Sequence, residues 1–213
     1  MIHMLLEGHI ALFLLILIAL IISLTFHEFG HAAVAKLFGD DTAQRMGRLT
    51  LNPLAHLDPM GVVMLVFVGF GWAKPVPTNP RNFNSRWADF FVSAAGPGMN
   101  LVLAFVAVNV FSVGIQAGWG VLQSQGAGIF FYYLATINLI LMLFNLIPLG
   151  PLDGHYILPY FLSARSAAIY REFNDQYGNM LLMGLILLSA VGVPVFSTIF
   201  GFGRRLLPYL AIF

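Results

Sequence analysis

An uninterrupted run of uncharged, mostly apolar residues over 10–26 constrains this fold more than any other feature of the sequence. Its helical pattern continues to about residue 38, where Gly39 and two aspartates end it. Crossing the hydrocarbon core of a bilayer takes about 20 apolar residues, so we expect a transmembrane helix over 10–38. The segment before the run contains neither Lys nor Arg, and no clear cleavage site follows. We therefore interpret the run as a retained span and not as a signal peptide.

The composition extends this interpretation to the whole chain. Only 9% of the 213 residues are charged and 59% are hydrophobic, whereas soluble domains carry about 25% charged residues. The formal net charge of +1 is too small to indicate a nucleic-acid partner. No cysteine occurs, so any metal ion must be bound by His, Asp or Glu. We expect one membrane-embedded domain over 1–213, with the lipid bilayer as a partner.

Further apolar stretches predict spans over 89–113, 128–149 and 179–201. After the first helix, the region over 45–80 is rich in Pro and Asn, and its apolar part over 61–72 is short for a crossing. The predicted fold class is therefore an all-α polytopic membrane protein. It is a transmembrane helix bundle with a re-entrant loop or short β segment after the first helix. Whether the last stretch is a single helix or bends back stays open.

Basic residues indicate the orientation, because they concentrate in cytoplasmic loops. The connection over 36–88 carries most of them, whereas the N-terminus and the connection over 114–127 carry none. Arg165 and Arg171 lie in the connection over 159–177. This distribution fits an outside N-terminus and an inside 36–88 connection, provided that the short apolar part of that connection does not cross the membrane.

His27, Glu28 and His31 form the pattern H-E-x-x-H within the first helix. Residues i and i+4 share one helix face, so both imidazoles can bind the same metal ion. Glu28 lies beside that ion, where its carboxylate can take a proton from bound water and pass it to a leaving amine. The pattern is often a coincidence in soluble helices. At membrane depth, however, a charged residue costs about 2.5–3.5 kcal/mol on insertion scales, which favours a functional site.

A catalytic zinc ion usually has three protein ligands and one open position. Two acids are candidates for the third ligand: Asp153, in L-D-G after the third span, and Asp58, in H-L-D-P. The other acids lie in polar stretches or at the far end of the first helix. If 61–72 is re-entrant, the first and third spans run in the same direction. His31 and Asp153 then lie at the same membrane depth, which favours Asp153.

The sequence resembles the site-2 protease family of intramembrane metalloproteases, in a compact prokaryotic branch. The matching blocks lie within 24–100 and 138–156 and read HEFGH, LTLNPLAHLDPMG, GWAKPVPTNPRNF, AAGPGMN and NLIPLGPLDG. The resemblance implies a metalloprotease domain that cleaves a peptide bond in or near a transmembrane helix of a membrane-protein substrate. It also implies one Zn²⁺ per chain, held by His27, His31 and Asp153, with Glu28 as the general base.

Three more residues are candidates for substrate binding. In the family, an asparagine eight residues before the aspartate assists substrate binding, and Asn145 has that position. Asn100 allows the same role, although we favour helix packing, and Gly96 is expected to permit close helix approach. His56 could reach the metal face from its loop, but stabilising that loop is the more ordinary role. The stretch over 61–72 is a candidate edge strand that would hold an unwound substrate extended; membrane packing is the alternative.

Two departures from the family are visible in the sequence. The chain has no room for the PDZ or CBS domain of many members, and Gly150 interrupts the usual proline-rich approach to Asp153, which is expected to loosen that turn. We expect an integral protein of the prokaryotic inner membrane with its active site towards the cytoplasm. Its substrate, regulation and oligomeric state are not indicated.

Functions of other classes fit the sequence less well. A membrane transporter or proton-relay protein could use the buried His/Glu/Asp cluster. It would not need two histidines at i and i+4 beside a glutamate, and the chain has none of the internal repeats that are common in transporters. A catalytically silent relative is disfavoured by the intact motifs. A di-iron hydroxylase is disfavoured because the six histidines are scattered.

Overall fold

The computed structural model describes residues 1–68 and 71–212, with only the backbone described for Ala190 and Val195. Within this part the chain is helical, and the only described strand pairing is an isolated bridge between Leu57 and Ala73. The α-helices in chain order are α1 (Ile2–Leu6), α2 (Ile10–Leu37), α3 (Thr42–Arg45), α4 (Pro59–Val68), α5 (Ala88–Gln116), α6 (Gln125–Asn145), α7 (Asp153–Ile157), α8 (Ala164–Phe173), α9 (Asn179–Ala190) and α10 (Val195–Leu210). Single 3₁₀ turns occur at Pro53–Ala55, Pro80–Asn82, Gly120–Gln123 and Leu158–Phe161, and a π turn occurs at Asn174–Gly178.

Helices α2, α5 and α6 are long and apolar enough to cross a membrane. They contain 28, 29 and 21 residues, which at about 1.5 Å per residue exceeds the roughly 30 Å of a hydrocarbon core. The predicted all-α membrane bundle is confirmed. Each of the first three predicted spans corresponds to one of these helices, although α6 ends at Asn145, four residues before the predicted boundary at residue 149.

Small residues let these three helices approach closely. At the crossing of α2 and α5, a Cβ on Gly30 would lie 2.8 Å from the carbonyl oxygen of Ala95. Ala19, Ala107, Leu134 and Ala135 form the buried cluster where all three helices meet. Because lipid tails are as apolar as leucine side chains, close van der Waals contact is a main source of helix association in a membrane. Alanine and glycine therefore occupy the positions where the backbones approach most closely.

The two ends of the segment around α4 lie side by side, as expected of a re-entrant segment. Helix α4 has ten residues and is about 15 Å long, which is half of a crossing. On either side of it, Leu57 pairs with Ala73, and the Lys74 N–H donates to the His56 carbonyl at 2.8 Å. The Asp58 carboxylate caps α4 by accepting from the Gly61 N–H at 2.9 Å.

The candidate edge strand over 61–72 is not a strand in the part that the structure describes. Residues 61–68 belong to α4, and 69–70 lie outside the described residues. A short run of apolar and β-branched residues fits either a strand or a buried helix. The aspartate cap and Pro59 at the first helical position are typical of a helix start.

The apolar stretch over 179–201, whose course the sequence left open, forms two helices. α9 ends at Ala190, and α10 begins at Val195. Gly192 between them has φ +97°, which ends the helical path. Pro194 reinforces the break, because a proline ring disfavours helical backbone in the residue before it. α10 then lies along α6, where a Cβ on Gly203 would contact Ile140.

Candidate metal centre

His27 and His31 lie on the face of α2 that contacts α5. His27 is 17 residues after the start of α2, about 26 Å along the helix axis, which places it in the second half of a crossing. His27 is 6% exposed and Glu28 is 7% exposed. A helix of this length thus carries its two imidazoles and its one carboxylate well into the bundle.

Asp153, the first residue of α7, completes a group of three possible metal ligands. His27 Nε2 lies 3.3 Å from Asp153 Oδ2, and His31 Nε2 lies 3.4 Å from Asp153 Oδ1. The two Nε2 atoms are 3.1 Å apart. Two ligands bound tetrahedrally to zinc at about 2.0–2.1 Å are separated by roughly 3.3–3.4 Å, so the spacing suits such an ion. Asp58, the other predicted candidate, caps α4 instead.

The ring orientation of His31 leaves its Nε2 free for a metal. Its Nδ1 lies 2.7 Å from the carbonyl oxygen of Val92 on α5. A carbonyl can only accept, so Nδ1 carries the hydrogen and Nε2 presents a lone pair to the centre. Hydrogen bonds of this kind fix the tautomer and orientation of metal-binding histidines.

A chain of buried amides does the same for His27. Ser23 Oγ donates to a backbone carbonyl one turn earlier, so it accepts from Asn138 Nδ2, 2.8 Å away. The Asn138 Oδ1 then accepts from Asn100 Nδ2 at 2.7 Å. This leaves Asn100 Oδ1 to accept from His27 Nδ1 at 2.7 Å. The direction of each bond follows from the one before, so the Nε2 of His27 also presents a lone pair.

The donor set therefore fits a divalent cation. In the neutral tautomers that these hydrogen bonds favour, the Nε2 lone pairs of the two imidazoles face each other at 3.1 Å. The buried Asp153 Oδ2 has no hydrogen-bond partner among the described residues. Three electron-pair donors converging in this way repel one another unless a cation lies between them, and a His₂-carboxylate set is typical of catalytic zinc.

Glu28 faces the segment that follows α4. Its Oε2 accepts a hydrogen bond from the Val76 N–H at 3.0 Å. Pro75 and Pro77 restrict the residues before them to extended backbone. The buried Arg48 holds this segment by donating to the carbonyls of Lys74 and Pro75, at 2.5 and 3.1 Å. A carboxylate that accepts from a backbone N–H is held in place while its other oxygen can act on a proton.

Gly96 was expected to permit close helix approach, and the residues that it approaches are the two histidines of the candidate metal centre. A Cβ at Gly96 would lie 2.6 Å from Cε1 of both His27 and His31. The glycine thus provides the space in which the two imidazoles converge. Around Gly98, two residues further along α5, no described atom outside its chain neighbours and the backbone of its own helix lies within 4 Å of the place that a Cβ would take.

The remaining predicted residues take more local positions. Asn145 donates to the Leu141 carbonyl of its own helix at 3.0 Å, and its role in substrate binding stays a prediction. His56 is fully buried and lies 2.8 Å from the Thr50 carbonyl through Nε2, as expected for loop stabilisation. It is not a member of the ligand group found among the described residues.

The turn before Asp153 is not loosened by Gly150. Gly150 has φ +60°, a conformation that costs glycine little. Its N–H and carbonyl both bond to the side chain of Asn174, at 2.8 and 3.1 Å. The expectation of a loose turn was wrong because a partner 24 residues away holds the glycine.

Sequence reasoning missed Asn138 and Val76. Asn138 is a polar residue in an apolar span, which is a signal for an interhelical hydrogen bond. Val76 contacts Glu28 through its backbone N–H, and the identity of its side chain does not predict such a contact.

Helices of membrane length that bury an H-E-x-x-H motif and a carboxylate from another helix define a membrane metallopeptidase. The model of peptidase family M50 matches residues 15–117 and 111–189. The chain belongs to this family, the site-2 protease family, as its motifs predicted.

Several relatives support the assignment. "Putative zinc metalloprotease YwhC" of Bacillus subtilis is 48% identical over 146 residues, covering 67% of each chain. "Putative zinc metalloprotease Rip2" of Mycolicibacterium smegmatis is 28% identical over 200 residues, covering 92% of this chain and 75% of the relative. "Zinc metalloprotease MJ0392" of Methanocaldococcus jannaschii is 28% identical over 187 residues, covering 84% and 45%. No solved structure matches the chain significantly.

Proposed function

We propose that this metallopeptidase is an intramembrane zinc protease that cleaves a peptide bond in or near a transmembrane helix of a membrane-protein substrate. The observation that carries the proposal is the position of the ligand group. His27 and Asp153 lie 3.3 Å apart inside a bundle of membrane-length helices. A substrate that reaches this depth is itself embedded in the membrane.

His27, His31 and Asp153 hold the zinc ion in this proposal. When bound, zinc supplies a Lewis acid that polarises a carbonyl and lowers the pKa of water. Val92 and Asn100 keep the two imidazoles in the tautomer that can bind it. Little of His27 and Glu28 is exposed, so electrostatic interactions within the site are stronger than in bulk water.

Glu28 is the general base and acid. It follows the first histidine directly, so its carboxylate lies beside the ligand face rather than on it. One oxygen is held by the Val76 N–H. The carboxylate can hold the proton removed from water and give it to the leaving amine.

The proposed substrate must be locally unwound before its peptide bonds are accessible, because a helix uses its carbonyls internally. The extended segment around Val76 lies against Glu28 and is better placed than α4 for pairing with an unwound substrate. The basic residues of the 36–88 connection support an active site towards the cytoplasm of a prokaryotic inner membrane.

The test compares wild type with Glu28→Gln, both purified in detergent under non-chelating conditions. Bound zinc is measured by mass spectrometry, and cleavage is followed on a panel of single-span membrane proteins. Glu7→Gln is the matched control, because Glu7 is exposed before the opposite end of α2 and pairs only with His3 among the described ion pairs. We expect all three proteins to bind about one zinc ion, and only Glu28→Gln to lose cleavage.

Two results would contradict the proposal. If none of the three proteins retains zinc, the metal site is wrong, and a buried proton relay explains the cluster better. If Glu28→Gln cleaves as fast as wild type, Glu28 is not the general base.

A further inference from the structure

The three metal-binding side chains differ in what holds them. Both histidines are oriented through Nδ1, His27 by Asn100 and His31 by Val92. Asp153 has no comparable support, since its buried Oδ2 lacks a hydrogen-bond partner in the part of the chain that is described. Its position must come from the backbone of the turn that leads into α7.

That turn is fixed on one side by the end of α6. A Cβ on Gly154 would lie 2.6 Å from the carbonyl carbon of Ile147. The backbone just after Asp153 therefore rests directly on the backbone before the turn. Leu152, on the other side of Asp153, is 8% exposed.

On its other side the turn is fixed by a single asparagine. Asn174 Oδ1 accepts from the Gly150 N–H at 2.8 Å, and Asn174 Nδ2 donates to the Gly150 carbonyl at 3.1 Å. The side-chain amide thus pairs with both backbone groups of one residue. Asn174 is 6% exposed, so water does not compete freely for either bond. Two reciprocal bonds fix both the position and the direction of the chain three residues before Asp153.

Asn174 opens the π turn Asn174–Gly178, which joins α8 to α9 without a break in the helical run. Such single π turns within helices are rare, and they are frequently found at functional sites. One turn further, Gly178 leaves room for the contact, since a Cβ there would lie 2.9 Å from the Gly150 nitrogen. One turn earlier, the Tyr170 hydroxyl donates to the Pro148 carbonyl at 3.0 Å. Tyr170, Asn174 and Gly178 follow one another at intervals of four residues and all face the turn.

We propose that Asn174 is a positioning residue of the metal centre, which holds the turn at Gly150 so that the Asp153 carboxylate meets the two imidazoles. This inference rests on the zinc site of the proposed function. In this inference the helical run over 164–190 supplies no metal ligand itself but positions one. Asn174 would do for the carboxylate ligand, through the backbone, what Asn100 does for His27 through a direct bond.

The test uses Asn174→Leu, which keeps the number and branching of the side-chain heavy atoms and removes both hydrogen bonds. Asn179→Leu is the matched control, since Asn179 is exposed on the following turn of the same helical run. The affinity for Zn²⁺ is measured in the full-length protein by competition with a chromophoric chelator. The visible spectrum of the Co²⁺-substituted protein reports the ligand geometry. Asp153→Asn provides the reference spectrum of a damaged carboxylate ligand.

We expect Asn174→Leu to bind Zn²⁺ about 10–100-fold more weakly than wild type, as is typical when support for a metal ligand is lost. Its Co²⁺ spectrum should change towards that of Asp153→Asn, while Asn179→Leu matches wild type. If Asn174→Leu does not fold, Tyr170→Phe decides the question, because it removes the hydroxyl that bonds the Pro148 carbonyl of the same turn and also lies 3.2 Å from His155 Nδ1 in α7. A loss of Zn²⁺ affinity that clearly exceeds the measurement error is then expected.

Three results would overturn the inference. If a folded Asn174→Leu has wild-type affinity and a wild-type Co²⁺ spectrum, even with a lower thermal stability of the metal-free form, Asn174 is only structural. Where Tyr170→Phe decides, unchanged affinity has the same meaning. If wild type itself binds no Zn²⁺, the metal site of the proposed function fails, and the inference fails with it.

Discussion

Gly96→Ala should abolish tight metal binding although it adds only one methyl group. The methyl would lie 2.6 Å from Cε1 of both His27 and His31, whereas ordinary contacts begin at 3.4 Å. The imidazoles or the helix must therefore move by 3.4 − 2.6 = 0.8 Å. Metal–ligand distances tolerate only about 0.2 Å. The required movement is several times that tolerance, and it affects two of the three ligands at once.

The measurement is the affinity for Zn²⁺, by chelator competition in detergent, with Gly98→Ala as the control. Both glycines lie in α5, and only Gly96 is close to the ligands. An alanine before Pro97 also strains the helix, so thermal stability alone would not separate this strain from the displacement of the imidazoles. We expect a loss of at least about 100-fold for Gly96→Ala, beyond the usual cost of removing a side chain that supports a metal ligand, and none for Gly98→Ala. An affinity within threefold of wild type for Gly96→Ala would refute the proposed ligand geometry.

Two further predictions concern polar side chains. Asn100→Leu should weaken zinc binding about 10–100-fold. Asn100→Asp should weaken it less, because a carboxylate still accepts from His27 Nδ1 although it can no longer donate to Asn138 Oδ1. Equal affinities in the two variants would contradict the proposed role of Asn100 in fixing the His27 tautomer. Burial alone would raise the pKa of Asp40, but hydrogen bonds from Thr42, Asn79 and Asn82 outweigh it and hold that pKa below its usual range. The ionised carboxylate therefore stabilises the fold fully above the unfolded-state pKa of about 4, and this contribution is lost as the pH falls through the lower folded value. Asp40→Asn should thus lower the free energy of unfolding by about 1–3 kcal/mol at pH 7. Measured by thermal unfolding, the stabilities of wild type and variant should converge below about pH 4. A difference in stability that stays constant down to pH 3 would contradict this prediction.

Local patterns were sufficient for the spans and for most of the metal centre. The apolar runs predicted α2, α5 and α6, because hydrocarbon thickness and helical rise together set the length of a span. His27 and His31 were placed on one face by helical periodicity alone. Asp153 required one more step, the parity of the crossings, which depended on a re-entrant segment. In the structure this segment contains the ten-residue helix α4, and the residues on either side of it, Leu57 and Ala73, pair with each other.

The structure alone decided between helix and strand after the first span. An apolar stretch of this length has no periodicity that distinguishes the two, so its cap and its neighbours decide. The structure also decided the path after Ala190, where Gly192 and Pro194 end one helix and α10 returns along α6.

The sequence by itself determined that the chain crosses a membrane and that it carries a His₂-carboxylate metal motif, since both follow from residues close together in the chain or from simple counting of crossings. Only the tertiary structure decided which residues hold those ligands in place. Asn138 and Ser23 are 115 residues apart, His27 and Asn100 are 73 apart, and Asn174 is 24 residues from Gly150. Hydrogen bonds over such separations exist only after helix packing has brought their partners within about 3 Å. No local pattern specifies that packing.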